Sequence, residues 1–294
     1  MKLSIIIPTK DRPYKILKIL KILKLNKFFF NEIIIVDSSS NQNKEILKKI
    51  LLNFNLKLRL FHSRPSISKQ RNIGIRKIKK NNKYLMFLDD DITFKKNSFR
   101  EMYNYLENNL NYNGYMFNLI SKSKKDFFEK IKKSNISRII GLYENNVGKV
   151  LPSGWHTKIE NVKRDTEIEW LPSCATIYKN DRKILFDEFF ADYSYLEDLE
   201  YSFRQKKYGK LIVVKKAQCF HKNFIERKNY LFGKKEIINR FYFVKKHNLS
   251  LMRLFLGIFI KIIMNLFFLK FYKVFGNIIG LLTIIKSYFF LIKL

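Results

Sequence analysis

The chain has 294 residues, with 58 lysines and arginines against 25 aspartates and glutamates, so its formal net charge is +33. Hydrophobic residues make up 47% of the sequence, and there are only two cysteines, Cys174 and Cys219. This composition excludes a disulfide scaffold and fits a reducing compartment. The charge predicts attraction to nucleic acid, an anionic lipid surface or a phosphorylated substrate, and does not by itself choose among them.

In chain order, the first 88 residues alternate short apolar runs with amphipathic stretches. The apolar runs predict strands over 3–7, 33–36, 56–61 and 84–88, and the amphipathic stretches predict helices over 13–25, 43–53 and 66–79. The first run ends at Pro8 and is too short for the core of a signal peptide, so we expect the protein to work where it is made.

The second half of the chain is less regular. Residues 141–164 are rich in loop signals. Further strands are predicted over 114–120, 174–178 and 211–214, and a helix is predicted over 196–207. The alternation in the first half predicts an α/β fold, in which helices flank a mostly parallel central sheet.

Polar residues follow three of the predicted strands, and ligands bind at the carboxyl ends of the strands in such sheets. The segments concerned are 9–11, 37–38 and 89–91. Asp89, Asp90 and Asp91 are adjacent carboxylates, which repel one another unless a cation lies among them. A solvated acidic turn is the alternative, but the triplet follows a buried strand in a chain that has few acids. The triplet therefore predicts a site for Mg²⁺ or Mn²⁺.

Three further positions carry candidate chemistry. The acids Glu197, Asp198 and Glu200 begin a predicted helix, where they either serve as a general base or simply favour the helix dipole. Arg71 suits a phosphate or ribose contact, and Gly74 in the same predicted helix either permits close approach of a ligand or packs against a neighbour. His221 is either structural or a group near the metal.

The segment 249–294 differs from the rest, because it holds six basic residues and no acid among mostly Leu, Ile and Phe. Arg253, Lys261 and Asn265 fall on one side of a helix, so the first helix of the segment is predicted to be amphipathic. Such a segment suits the interface of an anionic membrane, as a peripheral or a re-entrant insertion. A true span and a buried core or oligomer helix are the alternatives.

The ordered set of short motifs resembles the family-2 inverting glycosyltransferases of the bacterial envelope-polysaccharide type, which have the GT-A fold. The resemblance runs from residue 3 to about 221 and is carried by residues 4–12, 35–40, 71–74, 87–91, 172–175, 186–190 and 197–198. It implies a GT-A domain over 1–248, with a nucleotide-sugar half at 1–115 and an acceptor half at 116–248. The segment 249–294 then forms membrane-associating helices.

The resemblance also implies roles for individual residues. Asp198 is expected to be the catalytic base, and Asp91 and His221 are expected to hold the metal. The nucleotide-sugar donor, with a UDP-sugar favoured, is expected to contact eight residues: Thr9, Asp11, Arg12, Asp37, Arg71, Asn72, Asp89 and Asp90. The sequence lacks the Gln-x-x-Arg-Trp motif of processive synthases, which favours addition of a single sugar.

The acceptor is expected to be a glycan or a lipid-linked hydroxyl at the cytoplasmic face of the membrane. The chain departs from the family pattern at two places. It has Pro172, Ser173 and Cys174 where the family often has Gly-Gly, and Glu200 where the family often has Asp. We therefore expect acceptor recognition to differ from the family pattern. Two hypotheses without catalysis are the alternatives to a glycosyltransferase. A basic nucleic-acid-binding protein and a membrane-surface scaffold both account for the charge, but neither accounts for the acids at the strand ends. We therefore expect no nucleic-acid partner.

Overall fold

The structure is a computed structural model that describes residues 2–121, 138, 141–180, 184–190, 194–221 and 229–289. The chain forms two compact units, the first comprising Met1–Lys122 and Ile159–Asn223 and the second Ser123–Lys158 and Phe224–Leu294. These units differ in their bounds from the expected ranges 1–248 and 249–294. Residues from 224 onward belong to the same unit as the C-terminal helices. The assignment of a donor half and an acceptor half stays a prediction.

The first unit is built on a nine-stranded sheet. Its strands are β1 (Leu3–Thr9), β2 (Glu32–Asp37), β3 (Leu58–His62), β4 (Tyr84–Leu88), β5 (Ile92–Phe94), β6 (Tyr112–Leu119), β7 (Thr166–Ile168), β8 (Ala175–Lys179) and β9 (Lys210–His221). The spatial order is β3-β2-β1-β4-β8-β6-β9-β5, with β7 paired to β9.

The expectation of a mostly parallel sheet is wrong for the sheet as a whole. The pairs β1–β2, β1–β4, β2–β3 and β6–β9 are parallel, while β4–β8, β6–β8, β5–β9 and β7–β9 are antiparallel. The first four strands are joined through helices and so run parallel, as predicted. Strand β8 then enters between β4 and β6 in the opposite direction, which makes the sheet mixed.

Helices flank this sheet. They are α1 (Pro13–Leu25), α2 (Asn41–Leu52), α3 (Ile67–Lys77), α4 (Ser98–Asn108) and α5 (Glu197–Gln205). Ser66 caps α3, because its hydroxyl accepts a hydrogen bond from the Lys69 amide at 3.3 Å. Strand β5 and helix α4 were not predicted, although Phe99, Met102 and Leu106 bury one face of α4 at helical spacing.

The central strands are buried on both faces. Ile5 and Ile7 of β1 and Ile33 and Ile35 of β2 all lie in one hydrophobic core, which also receives the buried thiols Cys174 and Cys219. Strands covered on both sides form continuous apolar runs, which is why β1, β2 and β4 could be located from sequence.

The second unit contains three helices in its C-terminal part, α6 (Tyr230–Lys246), α7 (Leu251–Phe267) and α8 (Phe271–Phe289). Helix α6 was not predicted from sequence. Among the described residues, no helix combines the length and the apolar character needed to cross a membrane.

A buried carboxylate ties the start of β2 to its surroundings. Glu32 accepts hydrogen bonds from the Ser4 hydroxyl at 2.7 Å, the Asn82 amide at 3.0 Å and the Lys79 backbone at 3.1 Å. Arg59 donates to its other oxygen at 3.2 Å. Burial alone would raise the pKa of Glu32, but these donors hold the pKa below its ordinary value of 4.5.

Replacing Glu32 tests this network. Because the folded-state pKa is lowered, the carboxylate contributes stability above pH 4.5 that is lost as the pH falls through the folded pKa. We expect Glu32→Gln to lower the free energy of unfolding by roughly 2 kcal/mol at neutral pH, because buried donors lose a charged acceptor. The difference from wild type should shrink in acid.

Urea unfolding at neutral and acidic pH measures this effect. Glu45→Gln is the matched control, since Glu45 is exposed and pairs with Lys48 on the surface of α2. An equal loss for both variants, or a Glu32→Gln effect that does not change with pH, would contradict the account.

Candidate active site

The ends of β1 and β2 are joined by one buried amide. The Thr9 carbonyl accepts hydrogen bonds from the Ser38 backbone at 3.0 Å and from the Gln70 side chain at 2.8 Å. Gln70 also donates to the Val36 carbonyl at 2.8 Å. Helix α3 is thereby fixed across both strand ends. Gln70 could not be recognised as a site residue from sequence, because an amide within a helix has no distinctive pattern.

The three acids after β4 make separate contacts. Asp90 is buried and accepts from the Thr9 hydroxyl at 2.7 Å and from Arg12 at 3.2 Å. Asp91 pairs with Lys15 at 3.0 Å, and His221 Nε2 lies 2.9 Å from its other oxygen. The remaining acid, Asp89, is described below with Arg71. Lys15 was not predicted as a site residue, although it lies in the first turn of α1, three residues after Arg12.

The electrostatic environment separates the acids. Burial alone would raise the pKa of Asp91, but hydrogen bonds from His221 and Lys15 lower it to about 2. Burial raises the pKa of Asp89 and that of Asp90, against the opposing effects of Arg71 on the first and Thr9 on the second. The hydrogen bond to Asp91 raises the pKa of His221.

Asp89, Asp91 and His221 form a candidate metal centre, because one ligand atom from each lies within 4.8 Å of the others. Two carboxylates and an imidazole suit a divalent ion such as Mn²⁺ or Mg²⁺. Strand pairing explains the arrangement, since β5 follows the acids directly and its Ile92 is in register with His221 on β9. From the sequence, Asp91 and His221 are expected to hold the metal and Asp89 to contact the donor; the structure brings all three together.

Arg71 is buried, with a side-chain exposure of 3%. Its guanidinium pairs with Asp89 at 3.2 Å and with Glu197 at 3.5 Å, and it lies over the Phe186 ring at 5.3 Å from the centroid. Arg71 therefore links α3, the end of β4 and the start of α5. Its expected contact with the ribose or the phosphates stays a prediction.

Asn72 is also buried and makes contacts within the fold. Its side chain donates to the Phe186 carbonyl at 3.0 Å and to Glu188 at 3.2 Å, and it accepts from the Phe186 amide at 2.7 Å. These bonds fix the segment that precedes α5. The structure thus gives Asn72 a structural contact, and its expected role in donor binding stays a prediction.

Asp198 lies in the first turn of α5, two residues after the strained cap of that helix. The preceding cap, Leu196, has a φ of 73°, in the left-handed region that a leucine rarely adopts. Burial raises the pKa of Asp198, while Arg71 and the Leu199 backbone amide oppose the rise. A carboxylate with a raised pKa is a better proton acceptor, which fits the expected general base.

Asp11 and Asp37 form hydrogen bonds in the loops that follow β1 and β2. Asp37 is fully buried, accepts from the Ser39 backbone at 3.1 Å and lies 3.6 Å from His62 Nδ1. Asp11 is exposed, and its carboxylate accepts from the Ser40 backbone at 2.8 Å and from Asn43 at 3.0 Å. Both acids therefore fix the connection between β2 and α2, next to the loop after β1.

A cavity of about 470 Å³ opens at these strand ends. It is lined by Pro8, Thr9, Lys10, Arg12, Ser38, Pro65, Ser66, Ile67, Gln70, Asp89, Asp90, Asp91, Ser194 and His221. Six of the expected site residues belong to this lining, namely Thr9, Arg12, Asp89, Asp90, Asp91 and His221. Five do not, namely Asp11, Asp37, Arg71, Asn72 and Asp198.

The family description of glycosyl transferase family 2 matches residues 4–176. The chain belongs to this family. The match includes the acids after β4 and most of the sheet, so the resemblance predicted from the motifs is confirmed. No curated protein matches the sequence.

Solved structures of TarS from S. aureus are similar to the chain. TarS 1–349 has a TM-score of 0.50 at 16% identity over 81% of this chain, and a longer TarS has a TM-score of 0.51 at 18% identity, also over 81%. TarS 1–349 in complex with UDP-GlcNAc has a TM-score of 0.50 at 16% identity over 83%.

The similarity covers part of those proteins, namely 66% of TarS 1–349 and 40% of the longer TarS. At this identity it shows the fold alone. The expected α/β fold of the GT-A type is confirmed, with the correction that its sheet is mixed.

Close packing between α3 and β1 gives a prediction for this site. A Cβ added to Gly74 would fall on Ile6 Cγ2. The glycine therefore lets α3, which carries Gln70 and Arg71, approach the strand, and the packing interpretation of Gly74 is confirmed. We expect Gly74→Ala to lower the free energy of unfolding by about 1–3 kcal/mol, because the added methyl overpacks a buried contact.

A double-mutant cycle measured by chemical denaturation tests this contact. In an Ile6→Ala background the methyl has room, so Gly74→Ala should cost clearly less than it does in the wild type. Equal costs in the two backgrounds would show that the Ile6 contact does not determine the need for glycine.

Proposed function

We propose that the chain transfers a single sugar from a nucleoside-diphosphate donor to a hydroxyl acceptor, with inversion at the anomeric carbon and with a divalent metal. The observation that supports this most is the grouping of Asp89, Asp91 and His221 at the edge of one cavity, at the strand ends of a family-2 fold. Ligands of open α/β sheets bind at this edge.

Similarity to TarS supports the class of donor. Since TarS 1–349 has been solved with UDP-GlcNAc, a UDP-sugar is the donor that we propose for this chain. The cavity offers it the cationic Arg12 and Lys10. The first residues of α3 also line it, and the amino end of a helix favours an anionic phosphate.

A metal at Asp89, Asp91 and His221 would offset the negative charge that develops on the departing diphosphate. The other steps fall to the side chains. Arg12 and Lys15, which contact Asp90 and Asp91, place positive charge beside the phosphates. Asp198 accepts the proton of the attacking hydroxyl. Arg71 holds Asp89 and the start of α5 in position through its two ion pairs.

For the acceptor, we propose a glycan or a lipid-linked hydroxyl of cell-envelope polysaccharide synthesis, used at the cytoplasmic face of the membrane. The basic C-terminal segment supports this location, since it would attract an anionic leaflet. A basic nucleic-acid-binding protein without catalysis has less support. The acids that line the cavity would repel a phosphate backbone.

Replacing the base tests the proposed reaction. We expect Asp198→Asn to bind UDP with Mn²⁺ as the wild type does and to lose transfer by about a hundredfold or more, because no group then takes the acceptor proton. Release of UDP from a panel of UDP-sugars with membrane-derived acceptors measures transfer, and calorimetry measures binding.

Glu167→Gln is the matched control, because Glu167 is an exposed acid that pairs with Lys210 away from the cavity lining. Undiminished transfer by Asp198→Asn would remove Asp198 from the mechanism. A wild type that binds no nucleoside diphosphate in the presence of metal would overturn the proposed function itself.

A further inference from the structure

The exposed side of helix α7 is entirely apolar. Its exposed residues are Met252, Leu256, Phe259, Ile263, Leu266 and Phe267. The first five recur at alternating spacings of four and three, so they form one stripe along the helix. An ordinary surface helix presents charged and polar residues on this side.

Helix α8 repeats the same arrangement. Its exposed apolar residues Phe271, Phe275, Ile278, Leu282 and Ile285 follow the same alternation of four and three. Lys286 is the one exposed charged residue among those whose burial is described for α7 and α8. We refer to the stripes on α7 and α8 together, ten residues in all, as the apolar face.

The polar residues of α7 point the opposite way. Lys261 forms an ion pair with the buried Glu236 of α6, and Arg253 is half-buried. Asn265 is buried and donates to Asn277 of α8 at 2.9 Å. The predicted amphipathic pattern is thus present, but its polar arc is turned toward neighbouring helices rather than toward solvent.

Close backbone packing accompanies these polar contacts. A Cβ added to Gly276 would fall on the Tyr230 carbonyl, and one added to Gly280 would lie 2.8 Å from the Lys234 carbonyl. Asn277 donates to the Gly233 carbonyl of α6 at 3.0 Å. Small residues at helix crossings and amide hydrogen bonds between helices are the means by which helices associate in apolar surroundings.

We propose that the apolar face of α7 and α8 lies in the interfacial layer of an anionic lipid bilayer, as a monotopic anchor. It deepens the proposed function by naming the residues that place the protein at the membrane. With apolar residues outside and polar contacts inside, this pair of helices matches lipid rather than water as its surroundings.

Charge selects lipid over a second copy of the chain. Arg253, Lys261, Lys270, Lys273 and Lys286 lie within 249–289, and this stretch has no acid. Two chains that each carry +33 would repel when their basic segments met. An anionic leaflet instead supplies the opposite charge, and the exposed Lys286 can extend to its headgroups.

Vesicle binding tests the proposal. The variant Phe259→Glu/Phe275→Glu changes one residue in the middle of each stripe, and both side chains are exposed, by 61% and 59%, so the fold should tolerate the change. The control Leu25→Glu/Leu52→Glu adds the same charges at exposed apolar positions of the first unit, 83% and 87% exposed. Matched melting temperatures confirm that all proteins are folded.

Co-sedimentation is measured with vesicles of phosphatidylglycerol and phosphatidylcholine in equal parts, and with phosphatidylcholine alone. We expect the wild type and the control to bind the anionic vesicles more tightly than the neutral ones. The variant Phe259→Glu/Phe275→Glu should bind the anionic vesicles at least about tenfold more weakly than the wild type, because the bilayer contact loses two phenylalanine side chains that it would bury.

Two outcomes would overturn the proposal. The first is a face variant that sediments with anionic vesicles as the wild type does. The second is a wild type that binds no vesicles but forms a dimer by light scattering, where Phe259→Glu/Phe275→Glu abolishes the dimer. A second copy of the chain would then cover the apolar face. No readout uses a nucleotide sugar, so failure of the proposed transfer reaction would leave this test intact.

Discussion

Three adjacent carboxylates at the end of a buried strand are the constraint on which this fold depends. Removal of Asp89, Asp90 and Asp91 from water raises the energy of their charged forms, so each needs a compensating partner. The partners come from distant parts of the chain: Arg12 just before α1, Lys15 within α1, Arg71 from α3 and His221 from the end of β9. A metal-bound donor would meet the same need.

The parts of this arrangement that depend on local pattern could be predicted from sequence. Strands β1, β2 and β4 are continuous apolar runs, so the polar residues at their ends could be located, and the motif order gave the family. The pairing of β5 with β9 could not be foreseen, because β5 has three residues and its partner lies more than a hundred residues away. That pairing is what brings His221 to Asp91.

Contacts that the residue type does not determine could not be predicted from sequence either. Arg71 and Asn72 are expected to contact the donor, and the structure shows further contacts of both within the fold, to the start of α5 and to the segment before it. An arginine or an asparagine can bond equally well to a phosphate or to its own fold, and only the packing decides. Likewise, helix α7 has the expected amphipathic period, but sequence alone does not say that its polar side faces Glu236 and Asn277.

We propose that one cavity holds both the metal and the donor. Calorimetry of UDP binding with and without Mn²⁺ is the most direct test of this proposal. We expect Mn²⁺ to increase the affinity of the wild type for UDP clearly, and we expect Asp91→Asn to lose this increase because the metal loses a ligand. Glu45→Gln, on the surface of α2, should behave as the wild type does. UDP binding that is indifferent to Mn²⁺, or a gain that survives Asp91→Asn, would contradict it.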